Sequence, residues 1–589
     1  MASRHRGIVR KRTTWLFFVF ALIYMSVSAR LVYVQVFRGE YFKQRAAEIR
    51  FREYPIDAPR GTICDRTGRV MAVNIETASV FARPKEITNP PETAVRVAAL
   101  LGEEAQTVES KLNGGRGFVW LGRQVDAEVG DKLGKMRKEL PGIGSERDTK
   151  RVYPVGPLAA QIVGFTNIDN VGAEGIESAL DKELVGKDGL FRAELDGARR
   201  VIPETRRLVR QPENGKDVYL TIDVTIQHIA EQALAKMAET YKPTSASAIV
   251  MDPKTGEILA LANYPTYDPN KARSVKPGMW RNRAVADLYE PGSTLKCVTI
   301  AAGLNEGFNP HIPVVYCKGR EKMAGGSIPC VLHRPFLSGH GAADMYRIIQ
   351  YSCNIGAAHV ALRLGPDKLR EYEKAFGLLD KTDAGFGCEA VCPKIPEDEW
   401  RPIRVANVGF GQGLAVTPLQ MACVYSTIAN GGVRMRPSIV REIRRSDGTI
   451  CSPFKPRVAG RAVSRSTADE MTKMMTKCVQ EGTGKPAQIE GRSVAGKTGS
   501  AQVVRTNGRG YESGAYVASF MGFVPANRPR LTIVVVVNRP KKSHWGATVA
   551  APVFKEIGEK ALWYLKAPSD APTRQEIKQK RDVDKKRLA

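Results

Sequence analysis

Acidic side chains are in deficit in this chain, with 61 Asp and Glu against 89 Lys and Arg and a net charge of +28. Such an excess suggests a nucleic acid, yet no zinc-finger, homeodomain or aromatic RNA-binding signature occurs and the basic residues are spread along the sequence, so no nucleic-acid partner is expected. A membrane surface or an acidic cell envelope accounts for the charge equally well. Histidine is also scarce, at seven residues. No His-Glu-x-x-His string is present, which excludes that zinc-protease pattern. No histidine base can be assigned to any of the ten cysteines, which argues against a cysteine nucleophile. The signature of disorder is missing as well: 43% of residues are hydrophobic and 25% charged, and 589 residues are enough for two or three globular domains.

Only one long apolar run occurs. Arg4, Arg6, Arg10, Lys11 and Arg12 precede Trp15 to Ala29, and the run resumes after Arg30 as far as Val36. A bilayer needs about 20 apolar residues, so residues 13–36 are expected to form a transmembrane helix with Arg30 snorkelling outward. The charge ahead of it makes residues 1–12 a cytoplasmic tail and puts the bulk of the chain outside the cytoplasmic membrane, single-pass, N-terminus inside. A cleaved signal peptide, cut near Val27-Ser28-Ala29, is the rival reading.

Residues 37–210 are charged, with strand fragments and turns such as Arg60 to Arg69, and show no acid/base or metal constellation; a structural pedestal is expected. The pattern changes at residue 211. A helical run from Ile226 to about Ala238 is followed by a hairpin, Ala246–Met251 and Ile258–Ala262, turning at Asp252 to Gly256. Strand candidates return at Gly496–Val504, Val517–Phe523 and Leu531–Val537, with mostly helices and loops between the two strand groups and a last helix at Pro552–Leu565. The fold class expected is α/β (α+β), an antiparallel sheet made from both ends of a domain spanning 211–565 and flanked by helices. Residues 566–589 read as a charged disordered tail.

Three strings within that domain carry chemistry. Ser293-Thr294-Leu295-Lys296 sets a hydroxyl and an amine on one helical face, where burial of Lys296 would free its amine to act as a base. Ser352-Cys353-Asn354 adds a hydroxyl and an amide. Lys497-Thr498-Gly499-Ser500, read as an edge strand, adds a cation, two hydroxyls and a glycine that lets a substrate backbone approach. Lys497, Thr498 and Ser500 would hold a carboxylate, and the backbone N–H groups of Ser293 and Ser500 an oxyanion. Any one string is incidental in a chain this long; all three in order are the S-x-x-K, S-x-N and K-T-G set.

With Tyr289 to Ser293, Gly411-Gln412-Gly413, Thr417 to Gln420 and Gly482-Thr483-Gly484, the chain resembles the class B penicillin-binding proteins, single-span peptidoglycan transpeptidases, and the cell-division type most. The one departure is Ser500 where that family usually has threonine. The resemblance implies a dimerisation-type pedestal and attack by Ser293 on stem peptides ending in D-Ala-D-Ala, with Lys296 taking the proton and Ser352 relaying one to the departing D-Ala. Asn354 would orient the acyl chain. It further implies blockage by β-lactam antibiotics, a septal role with a polytopic membrane glycosyltransferase and other divisome proteins as partners, and no cofactor required for catalysis. The alternatives are an elongation-type transpeptidase, a carboxypeptidase or β-lactamase on the same scaffold, and a β-lactam-binding scaffold without cross-linking activity.

Cys317, Cys330, His340 and Cys353 cluster around the second string. They offer the donor set of a structural zinc site bracing that loop, with His333 as an alternative ligand; a Cys317–Cys330 disulfide is the rival. Cys388 and Cys392 form a separate pair, read as a disulfide or two buried thiols.

Overall fold

A computed structural model describes residues 2–197, 201–323, 325–331, 338–505, 510–572 and 576. The chain divides into two compact units, residues 1–59 with 186–214, and residues 60–185 with 215–589. In the first, the helix Ala2–Val32 continues through one π-helical turn, Tyr33–Phe37, and is followed by the helix Gly39–Arg50. Arg6–Phe37 is long and apolar enough to cross a membrane, with a mean hydropathy of 1.9 over its most apolar stretch and none of that stretch buried inside the protein. A three-stranded antiparallel sheet, Phe51–Ile56, Gly189–Glu194 and Arg207–Arg210, completes this unit.

The second unit carries two large sheets. Its five-stranded antiparallel sheet runs Ile258–Tyr264, Ser245–Met251, Leu531–Asn538, Tyr511–Val524, Ala495–Val504, so strands from both ends of the domain join side by side in one sheet as the sequence indicates. The central strand reads Leu-Thr-Ile-Val-Val-Val-Val-Asn without alternation because both faces are covered. Helices Val224–Tyr241 and Ala551–Tyr564 pack on one face and Pro418–Ala429 on the other. This last helix, buried from Pro418 to Ile428, opens on a capping box between Thr417 and Gln420.

The seven-stranded sheet crosses the change of pattern read at residue 211. Ile63–Cys64 pairs in parallel with Asp217–Leu220, which continues to Val440–Arg444, while on its other side Ile63–Cys64 joins Val70–Ala82. Residues 60–185 therefore pack with the catalytic half, while the boundary between the two units falls at 214/215, beside the change of pattern. The first residues of the stretch expected to be disordered from Lys566 are packed on the domain: the Asp570 carboxylate accepts from the Ser493 N–H at 2.9 Å, and Ala567 O accepts from the Arg492 guanidinium. Residues 573–575 and 577–589 lie outside the described residues.

Candidate active site

Ser293 sits in a single 3-10 turn, Gly292–Thr294, that runs into the helix Lys296–Asn305. The turn is gripped from two sides. Gly292 N–H donates to Gly411 O at 2.9 Å, and a Cβ on Gly411 would lie 1.8 Å from Gly292 O, so only glycine permits this approach. From the buried helix behind, the Tyr425 hydroxyl donates to Thr294 O at 3.0 Å.

Lys296, fully buried one turn on, brings the first two strings together. Its Nζ lies 3.0 Å from Ser293 Oγ, 3.1 Å from Ser352 Oγ, 2.7 Å from Ser352 O and 2.6 Å from Asn354 Oδ1. The two shorter contacts reach carbonyl oxygens, which can only accept; the two longer ones reach hydroxyls, which can also donate. A neutral amine satisfies this arrangement with two donated hydrogen bonds and a lone pair left for a hydroxyl proton. Burial, reinforced by the charge of Lys497, pulls Lys296 down to about 7, so the neutral form is accessible near neutrality.

Ser352 owes its aim to a left-handed backbone, φ 62°, between the helices Met345–Tyr351 and Asn354–Ala375. That conformation costs a non-glycine residue about 1–2 kcal/mol. It ends one helix and lets Cys353 begin the next, with the Cys353 Sγ accepting from Gly356 N–H at 3.3 Å. Ser352 O and Oγ then both face the lysine.

The third string lies on Ala495–Val504, an edge strand as read from the sequence. Lys497 is fully buried, donates to Thr498 O at 3.1 Å, and is lowered from its ordinary value by that burial. It acts through its field on Lys296. Thr498 Oγ1 meets Thr483 Oγ1 at 2.8 Å, and Ser500 Oγ accepts from Gly546 N–H at 3.0 Å. A Cβ on Gly499 would lie 2.4 Å from Ser519 Oγ and 2.9 Å from Thr294 Cγ2. This glycine serves the packing of the nucleophile's turn, a role not foreseen in expecting a substrate backbone to approach there.

These elements border a cleft of about 390 Å³ lined by Ser293, Asn354, Phe410, Ser500, Tyr516 and Trp545 among others. The Tyr516 and His544 rings stack at 4.4 Å, and His544 and Trp545 rings lie 4.4 Å apart. Sequence reasoning missed this aromatic wall, and missed Tyr425 and Thr483 as parts of the site. Gly482-Thr483-Gly484 was a signal without a role attached; nothing local marks the other residues.

Cys317, Cys330, His340 and Cys353 do converge. All four are buried and their ligand atoms lie within 4.8 Å of one another. Cys330 Sγ is 3.7 Å from Cys353 Sγ and 3.3 Å from His340 Nδ1, and Cys317 Sγ is 3.6 Å from the same nitrogen. Hydrogen bonding from the Cys353 thiol lowers Cys330 and Cys317 and raises Cys353. All ten cysteines are free thiols, so neither the Cys317–Cys330 nor the Cys388–Cys392 disulfide is formed. His333 lies outside the described residues. The cluster touches the site: Cys330 Sγ accepts from Asn354 N–H at 3.2 Å, and the Asn354 amide donates to Pro329 O at 3.0 Å.

A serine beside a buried lysine, a second serine on that lysine, and an edge strand along the cleft together define a serine acyl-transfer site. Residues 246–559 match the family described as "Penicillin binding protein transpeptidase domain", and residues 55–220 that described as "Penicillin-binding Protein dimerisation domain". Stage V sporulation protein D of Bacillus subtilis is 33% identical over 561 residues, 94% of this chain and 86% of the relative. Peptidoglycan D,D-transpeptidase FtsI of Escherichia coli is 31% identical, over 92% of this chain and 90% of its own. Among solved structures, penicillin-binding protein 3 of Mycobacterium tuberculosis complexed with aztreonam superposes with a TM-score of 0.69 at 28% identity, covering 88% of this chain and 99% of that one. The chain belongs to the penicillin-binding protein transpeptidase family. It is an enzyme of the serine acyl-enzyme type.

Proposed function

We propose that this chain is a membrane-anchored peptidoglycan D,D-transpeptidase in which Ser293 is the nucleophile and Lys296 its base, the N-terminal residues being cytoplasmic and the catalytic unit extracytoplasmic. The observation that carries the assignment of roles is the Lys296 amine, 3.0 Å from Ser293 Oγ and 3.1 Å from Ser352 Oγ. Ser293 Oγ attacks the penultimate D-Ala carbonyl of a stem peptide as its proton passes to Lys296. The oxyanion is held by the N–H groups of Ser293 and Ser500. Collapse breaks the peptide bond, and a proton delivered through Ser352 leaves with the D-Ala amine. A neighbouring stem peptide's amine then attacks the ester, its proton returning by the same route, to give the cross-link and free Ser293. The donor peptide adds to the exposed side of Ala495–Val504 as a sixth strand, its carboxylate on the hydroxyls of Thr498 and Ser500 under the field of Lys497. Asn354 orients the acyl chain.

β-Lactams stop at the acyl-enzyme. One relative of known structure, penicillin-binding protein 3 of Mycobacterium tuberculosis, is described in complex with aztreonam and with ampicillin, and among the described residues lining the cleft there is no Asp or Glu to drive deacylation. The kinship with FtsI supports a septal role, in which the partners would be a polytopic membrane glycosyltransferase and other divisome proteins. The test is labelling of the purified protein by a fluorescent penicillin beside Ser293→Ala and Lys296→Ala. Stable labelling of the parent that disappears in both supports the roles; labelling that survives Ser293→Ala overturns them.

We further propose a structural zinc ion on Cys317, Cys330, Cys353 and His340 Nδ1. Tetrahedral zinc with bonds of about 2.3 Å to sulfur and about 2.0 Å to nitrogen has ligand–ligand edges of about 3.8 and 3.5 Å, close to the separations present. The ion would fix the loop carrying Ser352 and Asn354 and takes no part in the chemistry. Elemental analysis should find one zinc per chain, lost in Cys317→Ser; a metal-free, fully active parent would contradict this.

A further inference from the structure

The last turns of the helix Asn354–Ala375 hold a buried carboxyl that the chemistry above does not use. Glu373 is 1% exposed, and neither of its side-chain oxygens has a hydrogen-bond partner among the described residues. It lines a cavity of about 290 Å³ whose wall also includes Arg370, Lys374, Lys394 and Trp400. The indole N–H of Trp400 is likewise buried without an acceptor. One cavity thus holds an unmet acceptor and an unmet donor. Leaving such groups unpaired costs about 1–3 kcal/mol each, so a fold that keeps both at one cavity is built for something that fills it.

The chemistry of the lining restricts the occupant. Glu373 calls for a cation or a strong donor. A purely cationic ligand would be repelled by Arg370, whose guanidinium lies 5.7 Å from the centre of the Trp400 ring and 3.7 Å from Glu397, and by the two lysines, three cations against the two carboxylates of the lining, Glu373 and the exposed Asp380. Those cations and the indole N–H call for an anion. The volume is at the small end of ligand pockets, which run from about 300 Å³ upward. We infer that this cavity binds a free α-amino acid as its zwitterion, ammonium to Glu373 and carboxylate to Trp400 and the basic rim. Burial pushes the Glu373 carboxyl up to about 8, so a bound ammonium would take the place of a proton there.

The cavity shares Cys392, Pro393, Lys394 and Ile395 with a larger cleft of about 740 Å³. That cleft reaches Gln502, Val503 and Val504 at the end of the edge strand. The segment 392–395 is therefore a common wall between the cavity and the strand on which substrate adds. The reaction itself releases one small amino acid, D-alanine; an external amino-acid pool is the other source.

The test uses the full chain in detergent with Ser293 first acylated by penicillin, so that the catalytic cleft cannot answer for the result. D-Alanine, L-alanine and glycine are titrated by ligand-observed NMR and by melting temperature, with ethylamine and propionate as single-charge probes. The expected result is saturable binding of at least one amino acid, weaker binding of both single-charge probes, and a loss of about tenfold or more in each of Glu373→Gln and Trp400→Phe. Both variants should label with penicillin at the parent's level. Preference for D-alanine assigns the ligand to the reaction's own product, and preference for L-alanine or glycine assigns it to an external pool; either supports the site. No binding to the parent, meaning a cavity filled by water only, or binding unchanged in Glu373→Gln, overturns it.

Discussion

Two groups of buried charges in the same compact unit are treated in opposite ways. Beside the sheet that residues 60–185 share with the catalytic half, Glu177 of the short helix Gly175–Ala179 is fully buried between two arginines. Arg60 Nε donates to one carboxylate oxygen at 2.8 Å and Arg151 Nε to the other at 2.7 Å, and Arg60 also reaches Asp181 at 2.7 Å and Asn170 O at 3.1 Å. In the catalytic cleft, Lys296 and Lys497 are just as buried, yet among the described residues the hydrogen-bond partners of both amines are hydroxyl, carbonyl and amide oxygens, with no carboxylate among them. The first arrangement ties a short helix to a strand and to the segment at Arg60, since each charge is neutralised where it sits. The second perturbs an amine and makes it a base. Burial alone therefore does not mark the chemistry; in the cleft it is the burial of an amine without a counter-charge that does.

The largest way to break this comparison is at the cleft. Replacing the amine by an apolar chain of similar length, Lys296→Met, should slow acylation by penicillin by about 10²–10⁴-fold, the range of a lost general base, while the melting temperature changes little. The complementary change, Glu177→Ala, leaves two guanidinium groups buried without their carboxylate. It should cost about 3–5 kcal/mol in denaturant unfolding while the acylation rate of the remaining folded protein is preserved. If Lys296→Met unfolded the protein and Glu177→Ala left it stable, the two regions would have been assigned the wrong way round. Smaller still, Tyr425→Phe removes only the hydroxyl holding Thr294 O and should cost about 1 kcal/mol in denaturant unfolding, with a modest fall in acylation rate.

Much of this was legible in the sequence because it is local. The Ser293/Lys296 spacing, the hairpin at Asp252 to Gly256 and the β-branched run Leu531 to Val537 each state their structure within a few residues, and all three appear where expected. What escaped depends on partners far away in the chain. Tyr425 reaches Thr294 across 131 residues, and Ile63–Cys64 pairs with a strand beginning at Asp217. No periodicity in either segment announces its partner. Gly499 was noticed for the approach of a substrate backbone, but its second reason could not be read, because the atoms that exclude a side chain there belong to Thr294 and Ser519. The left-handed turn at Ser352 was invisible for another cause: serine has no special propensity for it, and the strain is sustained by the helices on either side.

The unpaired amine also fixes a sign for stability. Lys296 loses its proton near pH 7 in the folded chain but only near its ordinary 10.5 when unfolded, so between those values the unfolded state binds the extra proton. Stability should therefore rise with pH across that window, and the rise should shrink in Lys296→Met.

The same titration gives the most direct measurement of the central claim. Acylation of the parent by penicillin, followed by stopped flow from pH 5.5 to 9, should accelerate about tenfold per pH unit on the acid side and level off with an apparent pKa near 7. A rate that is flat across this range, or that still climbs at pH 9, would mean that Lys296 is not the neutral base that attacks the Ser293 proton.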